Sequence, residues 1–202
     1  MSKIKICGLF REEDIEYINI AKPDYVGFII NFPKSYRSLS YDKAKKLIEK
    51  VDKNIKTVCV FVNQPIEYVL KYKDICNVIQ LHGDEDNEYI ESVRNATKEI
   101  EIWKAFKIRE EKDLVGAIES NADKVLLDNG YGTGEQFDWS VIKDFKRDFI
   151  LAGGIDVLNV SKAIEKFNPL IIDVSSGVEI NNVKNYEKIK RIVDIVKSKN
   201  EV

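Results

Sequence analysis

The chain has 202 residues, of which 44% are hydrophobic and 33% are charged, a balance that fits a domain with a substantial buried core. Its 32 Lys and Arg are interspersed with 34 Asp and Glu, and the formal net charge of -2 predicts no broad basic surface for nucleic acid or anionic lipid. The sequence shows no signal-peptide pattern and no apolar run that could span a bilayer, so we expect a cytoplasmic protein.

The cysteines argue against a disulfide framework and against a zinc site. Cys7, Cys59 and Cys76 are an odd number, they lack the C-x-x-C spacing, and the chain has a single histidine. We expect free thiols and no bound metal.

Short apolar or alternating runs recur along the chain and are separated by segments of helical periodicity, as in repeated strand-helix units around a parallel sheet. The predicted strands are Lys3–Ile6, Tyr25–Ile30, Lys56–Val62, Val78–Leu81, Glu101–Phe106, Lys124–Leu127, Phe149–Ala152 and Leu170–Val174. Clear helical periodicity covers Glu12–Ala21, Asp42–Val51, Val157–Phe167 and Tyr186–Lys197. Weaker periodicity covers Ile66–Tyr72, Glu88–Arg94, Lys112–Glu119 and Trp139–Phe145.

Eight strand-helix units in a chain of this length predict an α/β fold, a single (β/α)8 TIM barrel with short loops over residues 1–202. The main alternative is an open doubly wound sheet. Its dinucleotide fingerprint G-x-G-x-x-G is absent from the first turn, which reads Cys7-Gly8-Leu9-Phe10-Arg11. The barrel is therefore the favoured architecture.

In such a barrel the working residues stand at the carboxyl ends of the strands, where Cys7, His82, Asp128 and Asp173 are found. Because strand side chains alternate between faces, Cys7 shares the inward face with Lys5. By the same alternation, the carboxylates of Asp128 and Asp173 point inward at the carboxyl ends of their strands. Lys5 is either a cation that favours the Cys7 thiolate or the structural partner of Asp173. His82 has no triad partners in sequence, so we expect it to contact substrate.

Asp128 precedes a glycine-rich loop, Asn129-Gly130-Tyr131-Gly132-Thr133-Gly134. Two interpretations stay open: the carboxylate braces this loop, or it is an acid beside a mobile active-site cover. Arg37, on the rim after the second strand, is either a solvated cation or a bidentate partner for a carboxylate.

Two glycine-bearing segments follow the last two strands, where barrels commonly hold a phosphate. They are Leu151-Ala152-Gly153-Gly154 and Asp173-Val174-Ser175-Ser176-Gly177. Because glycine lets backbone N–H groups approach an anion closely, these segments predict a phosphorylated small-molecule substrate.

The order and spacing of these motifs resemble one family from end to end, the phosphoribosylanthranilate isomerases of tryptophan biosynthesis. The resemblance is carried by Lys5-Ile6-Cys7-Gly8, Val26-Gly27-Phe28, Ser35-Tyr36-Arg37, Val60-Phe61-Val62-Asn63, Gln80-Leu81-His82-Gly83, Leu126-Leu127-Asp128, Gly132-Thr133-Gly134 with Phe137-Asp138-Trp139, Leu151-Ala152-Gly153-Gly154, and Asp173-Val174-Ser175-Ser176-Gly177-Val178-Glu179.

The resemblance implies an Amadori rearrangement that needs no cofactor, in which N-(5-phosphoribosyl)anthranilate becomes 1-(2-carboxyphenylamino)-1-deoxyribulose 5-phosphate. Asp128 would be the general acid that protonates the furanose ring oxygen, and Cys7 the general base that removes the proton from ribose C2. This chemistry calls for an acid with a raised pKa and a base with a lowered one in a single pocket.

The remaining site residues also take their roles from the resemblance. Arg37 would hold the anthranilate carboxylate, Asp173 would help to position the substrate, and His82 would line the pocket. The phosphate would be bound by Gly153, Gly154, Ser175, Ser176 and Gly177.

Three departures from the family pattern fall in loops. Tyr36 stands where proline is usual, Tyr131 interrupts a usual Gly-Gly pair, and residues 181–185 lack the usual glycine and aspartate. We expect them to affect loop motion and substrate affinity and to leave the reaction type unchanged.

Two other functions compete with the isomerase as interpretations of the sequence. A dual-substrate sugar isomerase would need a second phosphate cradle in the first half of the barrel, and Asn63-Gln64-Pro65 after the third strand offers no glycine for one. A non-catalytic phosphosugar-binding barrel would have no need of both Cys7 and Asp128.

Overall fold

A computed structural model describes residues 1–97, 99–128 and 139–199. In these residues eight parallel strands close into a barrel, in which neighbours along the chain are neighbours in space and the first strand pairs with the last and with the second. The strands are β1 (Lys3–Cys7), β2 (Tyr25–Ile30), β3 (Lys56–Phe61), β4 (Val78–Leu81), β5 (Glu101–Lys107), β6 (Lys124–Asp128), β7 (Phe149–Leu151) and β8 (Ile171–Val174). The predicted barrel is confirmed, and every strand bound lies within one residue of its prediction.

Helices surround the barrel. They are α1 (Glu12–Ala21), α2 (Tyr41–Ile48), α3 (Ile66–Val69), α4 (Asn87–Thr97), α5 (Leu114–Glu119), α6 (Val160–Phe167) and α7 (Tyr186–Ser198). A 3-10 turn extends α3 over Leu70–Tyr72, another precedes α5 over Glu111–Asp113, and a third covers Trp139–Ile142 after β6. None of the helices in the described residues is long and apolar enough to cross a membrane.

Four helix predictions were wrong in their bounds. Helix α2 ends at Ile48 and not at Val51, and α4 ends at Thr97 and not at Arg94. Helix α6 begins at Val160 and not at Val157, because Asp156 Oδ1 accepts hydrogen bonds from the backbone N–H groups of Leu158 (2.8 Å) and Asn159 (3.2 Å) and holds a turn there. The helix predicted over Trp139–Phe145 is a 3-10 turn that ends at Ile142. Short i to i+3 hydrogen bonds continue past its end, such as that from Lys143 N to Ser140 O.

The barrel buries two separate cores, as the alternation of strand side chains requires. Ile4 and Ile6 of β1 belong to the larger core between the strands and the helices. Cys7 belongs to the core inside the barrel, together with Leu126 of β6 and Ile171 of β8. Cys7 therefore points inward, and so do Asp128 and Asp173, two positions after Leu126 and Ile171.

The same type of side-chain hydrogen bond recurs at the bottom of the barrel, where the strands begin. The residue before β2, β4 or β6 accepts a hydrogen bond from a backbone N–H of the preceding strand. The pairs are Asp24 with Ile4 (2.9 Å), Asn77 with Thr57 (2.8 Å) and Asp123 with Ile102 (2.7 Å). These contacts lie at the end opposite to the candidate site, so they serve stability.

A small hairpin follows β8 and was not predicted. Glu179–Ile180 pairs antiparallel with Val183–Lys184, which sets Glu179 opposite Lys184. The connecting Asn181 (φ 51°) and Asn182 (φ 62°) both adopt the left-handed conformation that a two-residue hairpin turn requires. Asparagine tolerates this conformation, so the hairpin forms without the usual glycine.

Candidate active site

A cavity of about 480 Å³ opens at the carboxyl ends of the strands. Nine of the ten predicted site residues line it, namely Cys7, Arg37, His82, Asp128, Gly153, Gly154, Asp173, Ser175 and Ser176. Gly177 is absent from the lining. A side chain at Gly177 would place its Cβ 2.0 Å from the carbonyl oxygen of Ile155, so this glycine lets the last two loops pack against each other.

The strand order places the groups around the rim in a defined sequence. Cys7 ends β1, and Asp128 ends β6. Strands β7 and β8 lie between them, and their loops carry Gly153, Gly154, Ser175 and Ser176. The predicted phosphate loops therefore separate the predicted acid from the predicted base along one side of the rim.

Lys5 lies directly below Cys7 and is fully buried. Its Nζ donates to both carboxylate oxygens of Asp173, at 3.0 and 2.9 Å. Gly27 on β2 makes room for this arrangement, because a Cβ there would lie 2.8 Å from Cys7 Sγ and 3.1 Å from Lys5 Nζ. Both interpretations of Lys5 drawn from the sequence have support, because the ammonium that pairs with Asp173 also acts to lower the pKa of the Cys7 thiol.

The surroundings of Cys7 raise the pKa of its thiol. Burial is the main cause; the Lys5 ammonium works in the opposite direction, and the Asp173 carboxylate adds to the rise. Burial lowers the pKa of Lys5, but Asp173 and Cys7 outweigh it, so the pKa of Lys5 is raised and the lysine is charged. The lowered thiol pKa that was expected of the base is therefore not found, and the pKa of Cys7 is raised instead.

His82 stands between the cavity and the barrel interior. Its Nδ1 lies 3.0 Å from Gln80 Nε2, so a hydrogen bond joins the imidazole to this amide. The other ring nitrogen, Nε2, lies 3.6 Å from Asp128 Oδ2, which is beyond a direct hydrogen bond but close enough for a small polar group to be shared. The role of Gln80 was missed from the sequence. A signal was available, because Gln80 lies two positions before His82 and strand alternation therefore puts both side chains on the same face.

Arg37 is held by a second cluster of polar side chains. Its Nε and Nη2 donate to the two oxygens of Glu179, at 2.8 and 2.6 Å, and the Tyr36 hydroxyl donates to Glu179 Oε2 at 2.8 Å. Lys184 Nζ donates to Glu179 Oε1 at 2.7 Å and to the carbonyl of Ser175 at 3.0 Å. Gly8 (φ 79°) lets the arginine cross the strand end, since a Cβ there would lie 2.5 Å from Arg37 Cδ.

The roles of Glu179 and Lys184 were missed from the sequence. A signal was present, because Asn181-Asn182 is a dipeptide that fits a two-residue hairpin turn and would have set Glu179 opposite Lys184. The contact between Glu179 and Arg37 could not be predicted in this way. The two residues are more than a hundred positions apart in the chain and meet only because the barrel closes.

The two predicted phosphate loops differ in what fixes their conformation. Gly153 (φ 89°) and Gly154 (φ 65°) are both left-handed, and the Ser175 hydroxyl donates to the carbonyl of Cys7 at 3.2 Å. This bond ties the loop after β8 to the end of β1. Glycine-bearing loops at this end of a barrel can take a phosphate.

Comparison with known proteins decides the family. The family model described as N-(5'phosphoribosyl)anthranilate (PRA) isomerase matches residues 4–195. The chain belongs to this PRA isomerase family. An N-(5'-phosphoribosyl)anthranilate isomerase of Thermoanaerobacter sp. (strain X514) is 45% identical over 206 residues, with 98% of each chain covered.

Solved PRA isomerase structures agree with this membership. The phosphoribosyl anthranilate isomerase of Thermotoga maritima superposes with a TM-score of 0.88 at 33% identity, covering 98% of this chain and all of that one. A phosphoribosyl anthranilate isomerase in complex with reduced 1-(o-carboxyphenylamino)-1-deoxyribulose 5-phosphate gives a TM-score of 0.85 at 32% identity, with the same coverage.

The predicted loop Asn129–Gly134 and the substituted Tyr131 lie outside the described residues. Cys7, Cys59 and Cys76 are free and buried. Within the described part of the chain, no group of three or more His, Cys, Asp or Glu side chains is arranged to hold a metal ion.

Proposed function

We propose that this chain catalyses the rearrangement of N-(5-phosphoribosyl)anthranilate to 1-(2-carboxyphenylamino)-1-deoxyribulose 5-phosphate, with Asp128 as acid and Cys7 as base. The observation that carries the assignment is one cavity lined by a thiol, a carboxyl, an arginine and two glycine-bearing loops. Family membership supports the same reaction.

Asp128 starts the reaction in this scheme. Its protonated carboxyl gives a proton to the furanose ring oxygen, so that the C1–O bond breaks and the nitrogen lone pair forms a protonated Schiff base at C1. Asp128 suits the step because it is only half-buried, with a side chain 20% exposed, and can be reprotonated from solvent. His82 Nε2 lies 3.6 Å from the same carboxyl and is placed to contact it or the released hydroxyl.

Cys7 completes the rearrangement by taking the proton from C2. The electron pair of the C2–H bond moves into the C1–C2 bond and neutralises the iminium nitrogen, which gives an enolamine that then ketonises. Burial raises the pKa of the free thiol, so the thiolate must be favoured at this moment by positive charge. Lys5 supplies one such charge from below, and the iminium itself supplies the second from above.

Binding of the two ends of the substrate fits the same cavity. The guanidinium of Arg37 would take the anthranilate carboxylate, and Gly153, Gly154, Ser175 and Ser176 would take the phosphate. Gly177 would act by letting those two loops come together. Asp173 would act mainly through Lys5.

A dual-substrate enzyme finds no support in the loop after β3. Asn63 N donates to Glu85 Oε1 at 2.8 Å, and Asn63 Nδ2 donates to Asp84 Oδ2 at 3.1 Å. Two carboxylates beside this loop would repel a second phosphate. A cytoplasmic location and a single domain over residues 1–202 stay predictions.

The assay that tests the proposal follows the fluorescence of phosphoribosylanthranilate, which falls as the substrate is consumed. We expect the purified chain to remove the substrate without any added cofactor and to restore growth to a tryptophan auxotroph that lacks this step. Tight binding of the reduced product analogue without turnover would instead indicate a non-catalytic phosphosugar-binding barrel.

A further inference from the structure

We propose that Glu179 and Tyr36 form a clamp that orients Arg37 toward the substrate carboxylate, so that the hairpin after β8 sets specificity for the anthranilate end. The inference rests on the proposed function and adds positioning residues to it.

The first support is the geometry of the guanidinium. Glu179 occupies the edge formed by Nε and Nη2, at 2.8 and 2.6 Å. The other edge carries one hydrogen of Nη1 and the second hydrogen of Nη2, and among the described residues Nη1 has no hydrogen-bond partner. Arg37 lines the cavity, so this second bidentate edge is available to a ligand carboxylate.

The second support is how firmly the clamp is held. Tyr36 packs its ring under the guanidinium, 4.3 Å from the ring centroid to Arg37 Cζ, and also donates its hydroxyl to Glu179. Lys184 is the cross-strand partner of Glu179 and is almost fully buried. Three donors therefore converge on one carboxylate, and an arginine stacked and paired on one edge has few rotamers left to lose on binding.

The third support is the charge of the cluster. Arg37 and Lys184 bring two positive charges, and Glu179 brings one negative charge, so one positive charge remains beside the cavity. Hydrogen bonds from Arg37, Lys184 and Tyr36 overcome the effect of burial and lower the pKa of Glu179 to about 2, which keeps it ionised. A site with one net positive charge suits a monoanionic benzoate-type group.

The test compares Glu179→Gln, Tyr36→Phe and Tyr36→Leu with the unaltered chain, and uses Glu165→Gln, an exposed acid paired with Lys199, as control. Two ligands are measured: the reduced product analogue, which carries the carboxylate, and ribose 5-phosphate, which does not. We expect Glu179→Gln to raise KM for phosphoribosylanthranilate and Kd for the analogue about tenfold, with kcat little changed. Binding of ribose 5-phosphate should stay the same.

The tyrosine variants separate the two contacts of Tyr36. Tyr36→Phe keeps the stacked ring and should cost less affinity than Tyr36→Leu, which loses both contacts. Because Tyr36 is half-exposed at the rim, these variants should fold even if Glu179→Gln does not.

Three outcomes would overturn the clamp. Equal weakening of both ligands would mean a merely structural role, and tighter binding of the analogue by Glu179→Gln would mean that the acid only attenuates the charge of Arg37. An unchanged KM in all variants would remove the role altogether. Failure of the unaltered chain to convert phosphoribosylanthranilate would contradict the proposed function. Normal turnover by the unaltered chain, together with an unchanged KM in the variants, would contradict only the clamp.

Discussion

Lys5 and Asp173 form a bidentate ion pair inside the barrel, immediately below the thiol of Cys7. The pair joins the first and last strands at register partners, and the ammonium is fully buried. Because Asp173 takes up much of the positive charge, the cation under the thiol is only partly available to stabilise a thiolate. Resting Cys7 is therefore protonated, and its activation depends on the charge balance around it.

The charge of Asp173 should control the titration of Cys7. In the unaltered chain, burial and Asp173 raise the pKa of the thiol above its ordinary value of 9.0, so activity should rise with pH on the alkaline side as the thiolate forms. Asp173→Asn removes the negative charge that adds to the rise, so the pKa of the thiol should fall and the alkaline limb should move to lower pH.

This shift is measured by the ultraviolet absorbance of the thiolate, taken as the difference between each protein and its Cys7→Ser counterpart. An unchanged or raised thiol pKa in Asp173→Asn would contradict the account. A change in KM alone would assign Asp173 to substrate binding.

Gly27→Ala should impair turnover through Cys7. The new Cβ would lie 2.8 Å from Cys7 Sγ and 3.1 Å from Lys5 Cε and Nζ, closer than carbon and sulfur tolerate, so the thiol or the ammonium must move. Overpacking of this kind costs about 1–3 kcal/mol of stability. We expect kcat to fall at least about tenfold, as is usual when a reacting group is misplaced by an ångström.

Gly116→Ala is the matched control for this variant, because its Cβ would meet only the ring of Phe106, away from the cavity. The control should keep wild-type turnover. Equal activity of Gly27→Ala and Gly116→Ala would show that the exact position of the Cys7 thiol does not matter.

Gly177→Ala should weaken phosphate binding without a change in the acid or the base. Its Cβ would meet the carbonyl oxygen of Ile155 at 2.0 Å and Asp156 Cα at 3.1 Å, which are backbone atoms that cannot rotate away. The two phosphate loops must then separate. We expect a weaker Kd for ribose 5-phosphate, measured by calorimetry, and a similar affinity to that of the unaltered chain would contradict the close approach.

Stability at acid pH should depend on Glu179. Its pKa is about 2 in the folded chain and 4.5 ordinarily, so it contributes stability above pH 4.5 that is lost as the pH falls from 4.5 towards 2. The contribution is on the order of 1–3 kcal/mol. Burial lowers the pKa of Lys184, but that residue stays protonated throughout this range and adds no slope.

Urea unfolding of the unaltered chain and of Glu179→Gln at several pH values measures this effect. The difference between the two free energies of unfolding should shrink as the solution is acidified below pH 4.5. A constant difference over that range would mean that Glu179 is not held ionised by its partners.

The sequence predicted the barrel because each strand carries its own local signal of alternation or apolar content, and β2 and β4 have the predicted bounds. The strand parity also placed Cys7, Asp128 and Asp173 on the inward face. The start of α6 was wrong because Asp156 competes for the backbone N–H groups of its first turn.

The partners within the site could not be predicted to the same extent. Arg37 was expected to face a ligand, yet one edge of its guanidinium is held by Glu179, a contact that exists only when the loop after β2 and the hairpin after β8 meet. The raised pKa of Cys7 likewise comes from burial and from a second charge, and neither is visible from Lys5 and Cys7 alone in the sequence.

The division of work between Cys7 and Asp128 is tested most directly by the turnover of Cys7→Ala and Asp128→Asn on phosphoribosylanthranilate, alongside the affinity of each variant for the reduced product analogue. We expect kcat to fall by about 100-fold or more in each variant while the analogue binds within a few-fold of the unaltered chain, because each group acts in the transition state. Near-normal kcat in either variant would contradict its assignment as acid or base.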